Sequence, residues 1–153
     1  MIAEGAQAPD FELPDQDGNP VALSSLRGQR VVLYFYPKAD TPGCTTQACG
    51  IRDHSADYEV AGVTVLGVSP DPVKAVKKFH DKQSLNFTLL ADEDHAVTEQ
   101  YGVWVEKSMY GKTYWGAQRA TFLIDEEGVV RHVIPKATPK THDDEVLAAL
   151  AEV

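Results

Sequence analysis

The sequence has few cysteines and no excess of positive charge, and both absences narrow what the chain can do. Cys44 and Cys49 are the only cysteines among 153 residues, and the formal net charge at neutral pH is -9. An acidic chain without a basic patch is poorly suited to bind phosphate backbones or anionic lipid surfaces. We therefore expect neither nucleic-acid nor membrane partners.

Long apolar runs and internal repeats are also missing. The amino-terminal segment carries Glu4 and no apolar stretch of signal-peptide length, and the run VVLYFY is too short to span a bilayer. These features predict a cytoplasmic protein, in which a pair of cysteines more often serves catalysis or redox sensing than a structural disulfide. Without repeats or low-complexity linkers, the length predicts one domain over residues 1–153.

The segment around Cys44 predicts a reactive thiol at the start of a helix. Thr41 suits the N-cap, Pro42 suits the first helical position, and Gly43 permits a close backbone approach. Cys44 would lie in the first turn, where unpaired N–H groups and the helix dipole favour a thiolate over a thiol. Complete ionisation of an ordinary cysteine gains only about 30-fold in rate at neutral pH. A fast enzyme would therefore need a further source of transition-state stabilisation.

The second cysteine predicts a conformational cycle. Residues five apart on an unbroken α-helix differ by about 140° in direction, and their Cα atoms lie about 8.6 Å apart. A disulfide needs a Cα separation below about 7 Å. If Cys44 and Cys49 bond to each other, the start of the helix must unwind, so such a bond would be transient.

A metal site is a weaker interpretation of the same residues. Cys44, Cys49 and His54 recur every five positions, but on one helix they point in successive directions about 140° apart and cannot converge. The acidic run from Asp92 to His95 lacks the glycine and the terminal glutamate of a calcium loop. We expect no metal, and we expect the other histidines to be exposed or hydrogen-bonded.

The residues Pro37, Thr41 and Cys44 form the pattern PxxxTxxC, and here the chain resembles the peroxiredoxins. The second cysteine, within GCTTQACGIRD, resembles the subgroup called PrxQ or bacterioferritin comigratory protein. The likeness continues through APDFELPDQDGNPVALSSLRG, LGVSPDPVKAVKKF, NFTLLADEDHAVTEQYGVW and EKSMYGKTYWGAQRATFLIDEEGVVRHV, so it covers nearly the whole chain.

The resemblance implies a role for each matching residue. Cys44 would be the peroxidatic cysteine, which becomes a sulfenic acid, and Cys49 would be the resolving cysteine, which condenses with it to an intramolecular disulfide. Thr41 would hydrogen-bond the peroxide, and Pro37 would shape the pocket and shield the thiolate. Arg119 would complete the site, because its planar guanidinium can hold thiolate and peroxide together.

The resemblance also implies an activity and partners. It describes an atypical 2-Cys peroxidase that reduces hydrogen peroxide and organic hydroperoxides, needs no cofactor, and is recycled by thioredoxin. Members of the subgroup are often monomeric, so a monomer is expected. The chain departs from the pattern at Gln47, where many members have glutamate, and at Ala120, where some have serine. We expect neither residue to perform the chemistry.

The fold class expected is α/β, a thioredoxin-like fold whose central mixed sheet is flanked by helices and preceded by an amino-terminal β-hairpin. The runs RVVLYFYP and VTVLGVSP read as buried strands, separated by one helix from about Pro42 to about Gly62. Further elements are predicted at PVKAVKKFHDKQ, NFTLLAD, HAVTEQYG, ATFLID, VVRHVI and THDDEVLAALAEV, with the hairpin around Asp17 and Gly18. The strand order comes from the resemblance.

Two other functions stay open. A thioredoxin-type disulfide oxidoreductase would normally present C-x-x-C at a helix start, whereas four residues separate the cysteines here. A redox sensor or holdase could use the same unwinding of the helix to signal to a protein partner. The aromatic segment from Trp104 to Trp115 is expected to be mostly core, with some side chains at the pocket mouth.

Overall fold

The computed structural model describes residues 1–152 and contains nine strands and five α-helices within them. A short 3₁₀ helix covers Leu23–Leu26. The strands are β1 (Glu12–Pro14), β2 (Pro20–Ala22), β3 (Arg30–Phe35), β4 (Val63–Ser69), β5 (Thr88–Ala91), β6 (Trp104–Met109), β7 (Lys112–Ala117), β8 (Thr121–Ile124) and β9 (Val130–Ile134). The helices are α1 (Pro42–Asp53), α2 (Ser55–Val60), α3 (Val73–Lys82), α4 (Ala96–Gln100) and α5 (His142–Glu152).

A five-stranded mixed sheet forms the centre of the molecule, in the order β5-β4-β3-β8-β9. Strands β3, β4 and β5 are parallel to one another, whereas β8 is antiparallel to β3 and β9 is antiparallel to β8. The central strand β3 is an almost unbroken apolar run because both of its faces are covered by other elements. The mixed sheet and its flanking helices are as predicted.

Alternate residues of β3 enter two different cores. Val32 and Tyr34, together with Tyr36 just beyond the strand, pack on one side with Cys44 and other residues of α1, and with α5. The opposite face of the strand contributes Val31, Leu33 and Phe35 to the second core. This period of two is the ordinary geometry of a strand. It places the start of α1 directly on the sheet, with Cys44 facing inward.

The predicted hairpin around Asp17 and Gly18 is present, with β1 antiparallel to β2. Gly18 has a φ of +81°, a conformation that residues with a side chain rarely adopt. The predicted closing helix is α5, and Val153 at its end lies outside the described residues. Within residues 1–152, no helix combines the length and apolar character needed to cross a membrane.

The prediction of a single helix between β3 and β4 is wrong, because the helix is interrupted at His54, which separates α1 from α2. His54 leaves the helical region with ψ at 20°, and its backbone N–H is shared between the carbonyls of Gly50 and Ile51. Its ring Nδ1 also lies 2.9 Å from the Gly50 carbonyl oxygen. These contacts end α1 at this point in the chain.

The expectation that the aromatic segment is mostly core is also wrong. Strands β6 and β7 form a separate two-stranded hairpin that does not join the central sheet. Tyr110, Tyr114 and Trp115 are exposed, because the hairpin pairs only with itself over most of its length. Trp104 at its base is half-buried and stacks on His95 at a ring separation of 3.9 Å.

Candidate active site

Cys44 lies in the first turn of α1, as the sequence predicts. Thr41 occupies the N-cap with extended backbone angles, Pro42 is the first helical residue, and the Thr41 carbonyl accepts the Thr45 N–H at 2.8 Å. The Thr41 hydroxyl does not cap the helix, because it donates to the Lys38 carbonyl at 2.9 Å. This leaves the backbone N–H groups of the first turn available to a ligand. The Cys44 side chain is 1 % exposed and its thiol is unpaired.

The loop between β3 and α1 is tied to neighbouring elements. Asp71 accepts the Ala39 backbone N–H at 2.8 Å, and Asp40 accepts Lys82 Nζ at 3.1 Å. Asp40 has a φ of +62°, which turns the chain sharply before the helix. Pro37 is half-buried at the start of this loop. The predicted pair Pro37 and Thr41 therefore belongs to a fixed loop that leads into the Cys44 turn.

Arg119 is brought to Cys44 from the other end of the sequence. Its Nη1 lies 3.4 Å from Cys44 Sγ and 2.7 Å from Gln47 Oε1, so one guanidinium nitrogen donates to both. The arginine stands just before β8, and the Ala137 N–H binds the Arg119 carbonyl at 2.6 Å. The family resemblance implied this residue for the site, and in the structure its guanidinium contacts the thiol.

Gln47 is a residue of the site that the sequence analysis set aside. Its side chain is fully buried and its amide oxygen holds Arg119, whereas Nε2 has no hydrogen-bond partner among residues 1–152. Gln47 follows Cys44 by three positions, so both lie on one face of α1. That spacing could have identified it. The neutral amide oxygen of Gln47 orients Arg119 and leaves its positive charge uncompensated, whereas the carboxylate of a glutamate would neutralise that charge.

Lys107 is a second cation near the thiol that the sequence analysis did not consider. It projects from β6, and its Nζ donates to the Ala117 carbonyl at 2.6 Å. Burial lowers the pKa of Lys107, and the charge of Arg119 lowers it further, whereas negative charge at Cys44 acts in the opposite direction. The base of the β6–β7 hairpin thus adds positive charge to the same region as Arg119.

A buried polar group lies behind the arginine. Thr121 Oγ1 and His142 Nε2 are 2.7 Å apart, and the His142 ring packs on Tyr34 at 5.6 Å. Burial, followed by repulsion from Arg119, lowers the pKa of His142 to about 4, so this imidazole is neutral at pH 7. Burial likewise raises the pKa of the Tyr34 hydroxyl. The positive charge at the site is therefore carried by guanidinium and ammonium groups.

Cys49 lies one turn further along α1 and is half-buried. Its thiol is 3.5 Å from Gln83 Oε1, and Arg52 Nη1 donates to the Gln83 carbonyl at 2.6 Å. Both cysteines are unpaired and α1 is continuous from Pro42 to Asp53. Ideal helix geometry keeps their Cα atoms about 8.6 Å apart, beyond the reach of a disulfide. The structure therefore shows the fully helical form of α1, in which Cys44 and Cys49 are not bonded to each other.

The arrangement can activate and use a nucleophile. A thiol at a helix start, next to a guanidinium, has the surroundings that favour a reactive thiolate.

Two surface cavities of about 460 and 420 Å³ lie elsewhere, the first beside Tyr58 and Phe87 and the second beside Arg30 and Leu150. In the part of the chain that is described, no three His, Cys, Asp or Glu residues are grouped to hold a metal ion.

Comparison with known proteins gives consistent matches over nearly the whole chain. Residues 5–133 match the model of the AhpC/TSA family. The chain is similar to peroxiredoxin Bcp of Escherichia coli strain K12, with 55% identity over 151 residues that cover 99% of this chain and 97% of that protein.

Solved structures agree with the sequence matches. A PrxQ mutant from Xylella fastidiosa superposes with a TM-score of 0.93 at 31% identity, covering 99% of this chain and 97% of that one. The bacterioferritin comigratory protein of Xanthomonas campestris, whose structure is described in terms of its alkyl peroxide reduction activity, gives a TM-score of 0.87 at 39% identity. The aligned parts cover 93% of this chain and 90% of the Xanthomonas protein. The predicted thioredoxin-like fold class is confirmed.

Proposed function

Because this chain belongs to the AhpC/TSA family and is a thiol peroxidase of the peroxiredoxin type, we propose that Cys44 is the residue that attacks the peroxide. The observation that carries this assignment is the contact of Arg119 Nη1 with Cys44 Sγ at 3.4 Å, at the first turn of α1. Peroxides are the substrates of this class of enzyme.

In the first step, the Cys44 thiolate attacks one oxygen of the peroxide and the O–O bond breaks. Sulfur is oxidised to a sulfenic acid, and the other oxygen leaves as water or an alcohol after taking up a proton. Arg119 stabilises the charge that moves from sulfur to the leaving oxygen, since it already donates to the sulfur. The Thr41 hydroxyl and the free N–H groups of the first turn hold the peroxide, and Pro37 limits access of water to the thiol.

In the second step, the Cys49 thiol attacks the Cys44 sulfenic acid. A disulfide forms within the chain and one water molecule leaves, so the two electrons that reduce the peroxide come from the two thiols. This step makes the protein an atypical 2-Cys enzyme. It requires α1 to unwind, because the helix holds the two cysteines too far apart.

An external dithiol then reduces the disulfide, and we assign this role to thioredoxin. A bond between residues of an unwound, partly exposed segment is accessible to an attacking thiolate. Because both cysteines belong to one helix, the cycle needs no second subunit, which favours a monomer. Glutaredoxin is the competing donor, and steady-state turnover with each purified reductase system decides between them.

Intact-mass spectrometry after one equivalent of hydrogen peroxide tests the assignments of both cysteines. We expect the wild type to lose two hydrogens as the disulfide forms. Cys49→Ser should gain one oxygen as the sulfenic acid, and Cys44→Ser should stay unchanged. Oxidation of Cys44→Ser at the wild-type rate would contradict the assignment of Cys44. A wild-type product with an added oxygen and no disulfide would contradict the role of Cys49.

A further inference from the structure

The segment that leads into α5 packs along α1 at two glycines. Gly43 and Gly50 are seven residues apart, so they lie on the same face of α1, two turns from each other. A Cβ at Gly43 would lie 3.2 Å from Arg119 Nη2 and 3.6 Å from Pro139 Cγ, and a Cβ at Gly50 would lie 2.0 Å from Asp143 Oδ2. The contact with Pro139 is an ordinary one, whereas a side chain at Gly50 would fit only if the Asp143 carboxylate moved. Asp143 therefore sits on the backbone of α1 at the residue directly after Cys49.

The Asp143 carboxylate is held in this position by its other contacts. Tyr58 in α2 donates its hydroxyl to Oδ1 at 3.1 Å, and His54 Nδ1 lies 3.8 Å from Oδ2. The same His54 nitrogen lies 2.9 Å from the Gly50 carbonyl oxygen. The Asp143 side chain is only 11% exposed. One carboxylate thus joins α5, α2 and the end of α1 around Gly50.

This location matters because resolution requires the part of α1 before Gly50 to unwind. Glycine weakens a helix interior by about 1 kcal/mol relative to alanine. Its presence beside Cys49 makes this part of α1 easier to open, and the contact with Asp143 opposes that opening. The balance between the two sets how often Cys49 can reach a sulfenic acid at Cys44.

We propose that Asp143 is a positioning residue for the resolution step, where it clamps α1 at Gly50 and limits the rate at which Cys49 reaches oxidised Cys44. This inference rests on the proposed function in assigning resolution to Cys49. The clamp does not touch Cys44, so it leaves the first reaction with peroxide unchanged. A slower resolution step leaves the sulfenic acid exposed to a second peroxide, which converts it to a sulfinic acid.

The matched pair of variants for this proposal is Asp143→Ala and Asp144→Ala. Asp144 lies in the same turn of α5 and carries the same charge, but it is exposed. Rapid-quench mass spectrometry after excess peroxide measures the rates of sulfenic acid and disulfide formation. We expect Asp143→Ala to form the disulfide about fivefold faster, which corresponds to the loss of the one hydrogen bond, from Tyr58, that holds the carboxylate against α1. The peroxide concentration at which half of the Asp143→Ala protein becomes sulfinic acid should rise by a similar factor. Asp144→Ala should match the wild type in both measurements.

A substitution at Gly50 separates the clamp from simple helix propensity. Alanine strengthens an ordinary helix interior, so propensity alone predicts that Gly50→Ala resolves more slowly. The clamp predicts faster resolution, because the new methyl group displaces Asp143. In the Asp143→Ala background, Gly50→Ala should then slow resolution, so the sign of its effect reverses. Tyr58→Phe removes only the hydroxyl that orients the carboxylate, and serves if Asp143→Ala folds poorly.

Hydrogen exchange of the reduced protein provides a readout that does not require the disulfide. We expect the α1 amides around Cys49 to exchange about fivefold faster in Asp143→Ala than in Asp144→Ala. Equal exchange and equal resolution in the two variants would overturn the clamp, as would slower resolution in Asp143→Ala. The exchange could be faster in Asp143→Ala while the oxidised wild type forms no disulfide. That result would support the clamp on α1 and would contradict the assignment of Cys49 as the resolving residue.

Discussion

Replacing Arg119 by methionine is the substitution that most directly probes how the site works. The variant keeps a side chain of similar length and removes the donor that lies 3.4 Å from Cys44 Sγ and 2.7 Å from Gln47 Oε1. A first-turn thiolate alone accounts for about 30-fold in rate. The remaining acceleration needs charge stabilisation during O–O cleavage, and Arg119, which contacts the sulfur, is able to supply it.

The size of the effect follows from the contacts that are lost. Removing one preorganised donor from a site of this kind lowers the rate about 100-fold to 1000-fold. We expect kcat/KM for hydrogen peroxide to fall by at least about 100-fold in Arg119→Met. Arg119→Lys keeps the positive charge but cannot donate to Cys44 and Gln47 at the same time. Loss of one charge-assisted hydrogen bond should lower kcat/KM for hydrogen peroxide about tenfold in this variant.

Stopped-flow mixing of reduced protein with hydrogen peroxide measures this rate, with Arg131→Met as the control. Arg131 lies on β9 and pairs with Asp125 at 2.6 Å, so it carries the same charge outside the site. We expect the control to react like the wild type. An Arg119→Met variant that folds normally and stays within threefold of the wild-type rate would refute the role assigned to this guanidinium.

Three further predictions follow from buried residues. Gln47→Leu removes the acceptor that orients Arg119 and should lower the oxidation rate about tenfold in the same stopped-flow assay, whereas unchanged rates would show that the arginine is held by other contacts. Gly67→Ala places a Cβ 2.8 Å from Tyr34 ring atoms and should cost about 1–3 kcal/mol in urea unfolding; equal stability would contradict the tight packing of β4 on this ring. In the folded protein the pKa of His142 is about 4, below its ordinary value of 6.5. Between these two pH values the unfolded state binds more protons than the folded state, so the free energy of unfolding falls as the pH drops. Urea unfolding should show about 2 kcal/mol lost from this residue between pH 7 and pH 5, a loss absent in His142→Gln.

Local patterns in the sequence predicted most of the elements that position the site. The apolar run of β3 and the order Thr41, Pro42, Gly43 located the start of α1, and the structure confirms Cys44 in its first turn. The contact of Arg119 with Cys44 was expected only from the family resemblance. Periodicity and spacing cannot bring together two residues 75 positions apart.

Contacts made in the folded structure decided what the sequence could not predict. The break at His54 accompanies a local contact of its ring with Gly50, whereas the exposure of Trp115 depends on a hairpin that stands apart from the central sheet. The spacing of Gln47 from Cys44 places both on one face of α1, but the buried contact of Gln47 with Arg119 could not be predicted from that spacing. Asp143 likewise gains its role from the close approach of α5 to Gly50.

The second-order rate constant for oxidation of the reduced protein by hydrogen peroxide shows whether Cys44 is the peroxidatic residue. Stopped-flow tryptophan fluorescence measures it, with Cys44→Ser as the control. We expect a value of at least about 10⁴ M⁻¹ s⁻¹, within the normal range of enzyme efficiency, and we expect this rapid oxidation to be lost in the variant. A slow reaction indistinguishable from that of a free thiol, or a fast one that survives in Cys44→Ser, would contradict the assignment of Cys44 as the peroxidatic residue.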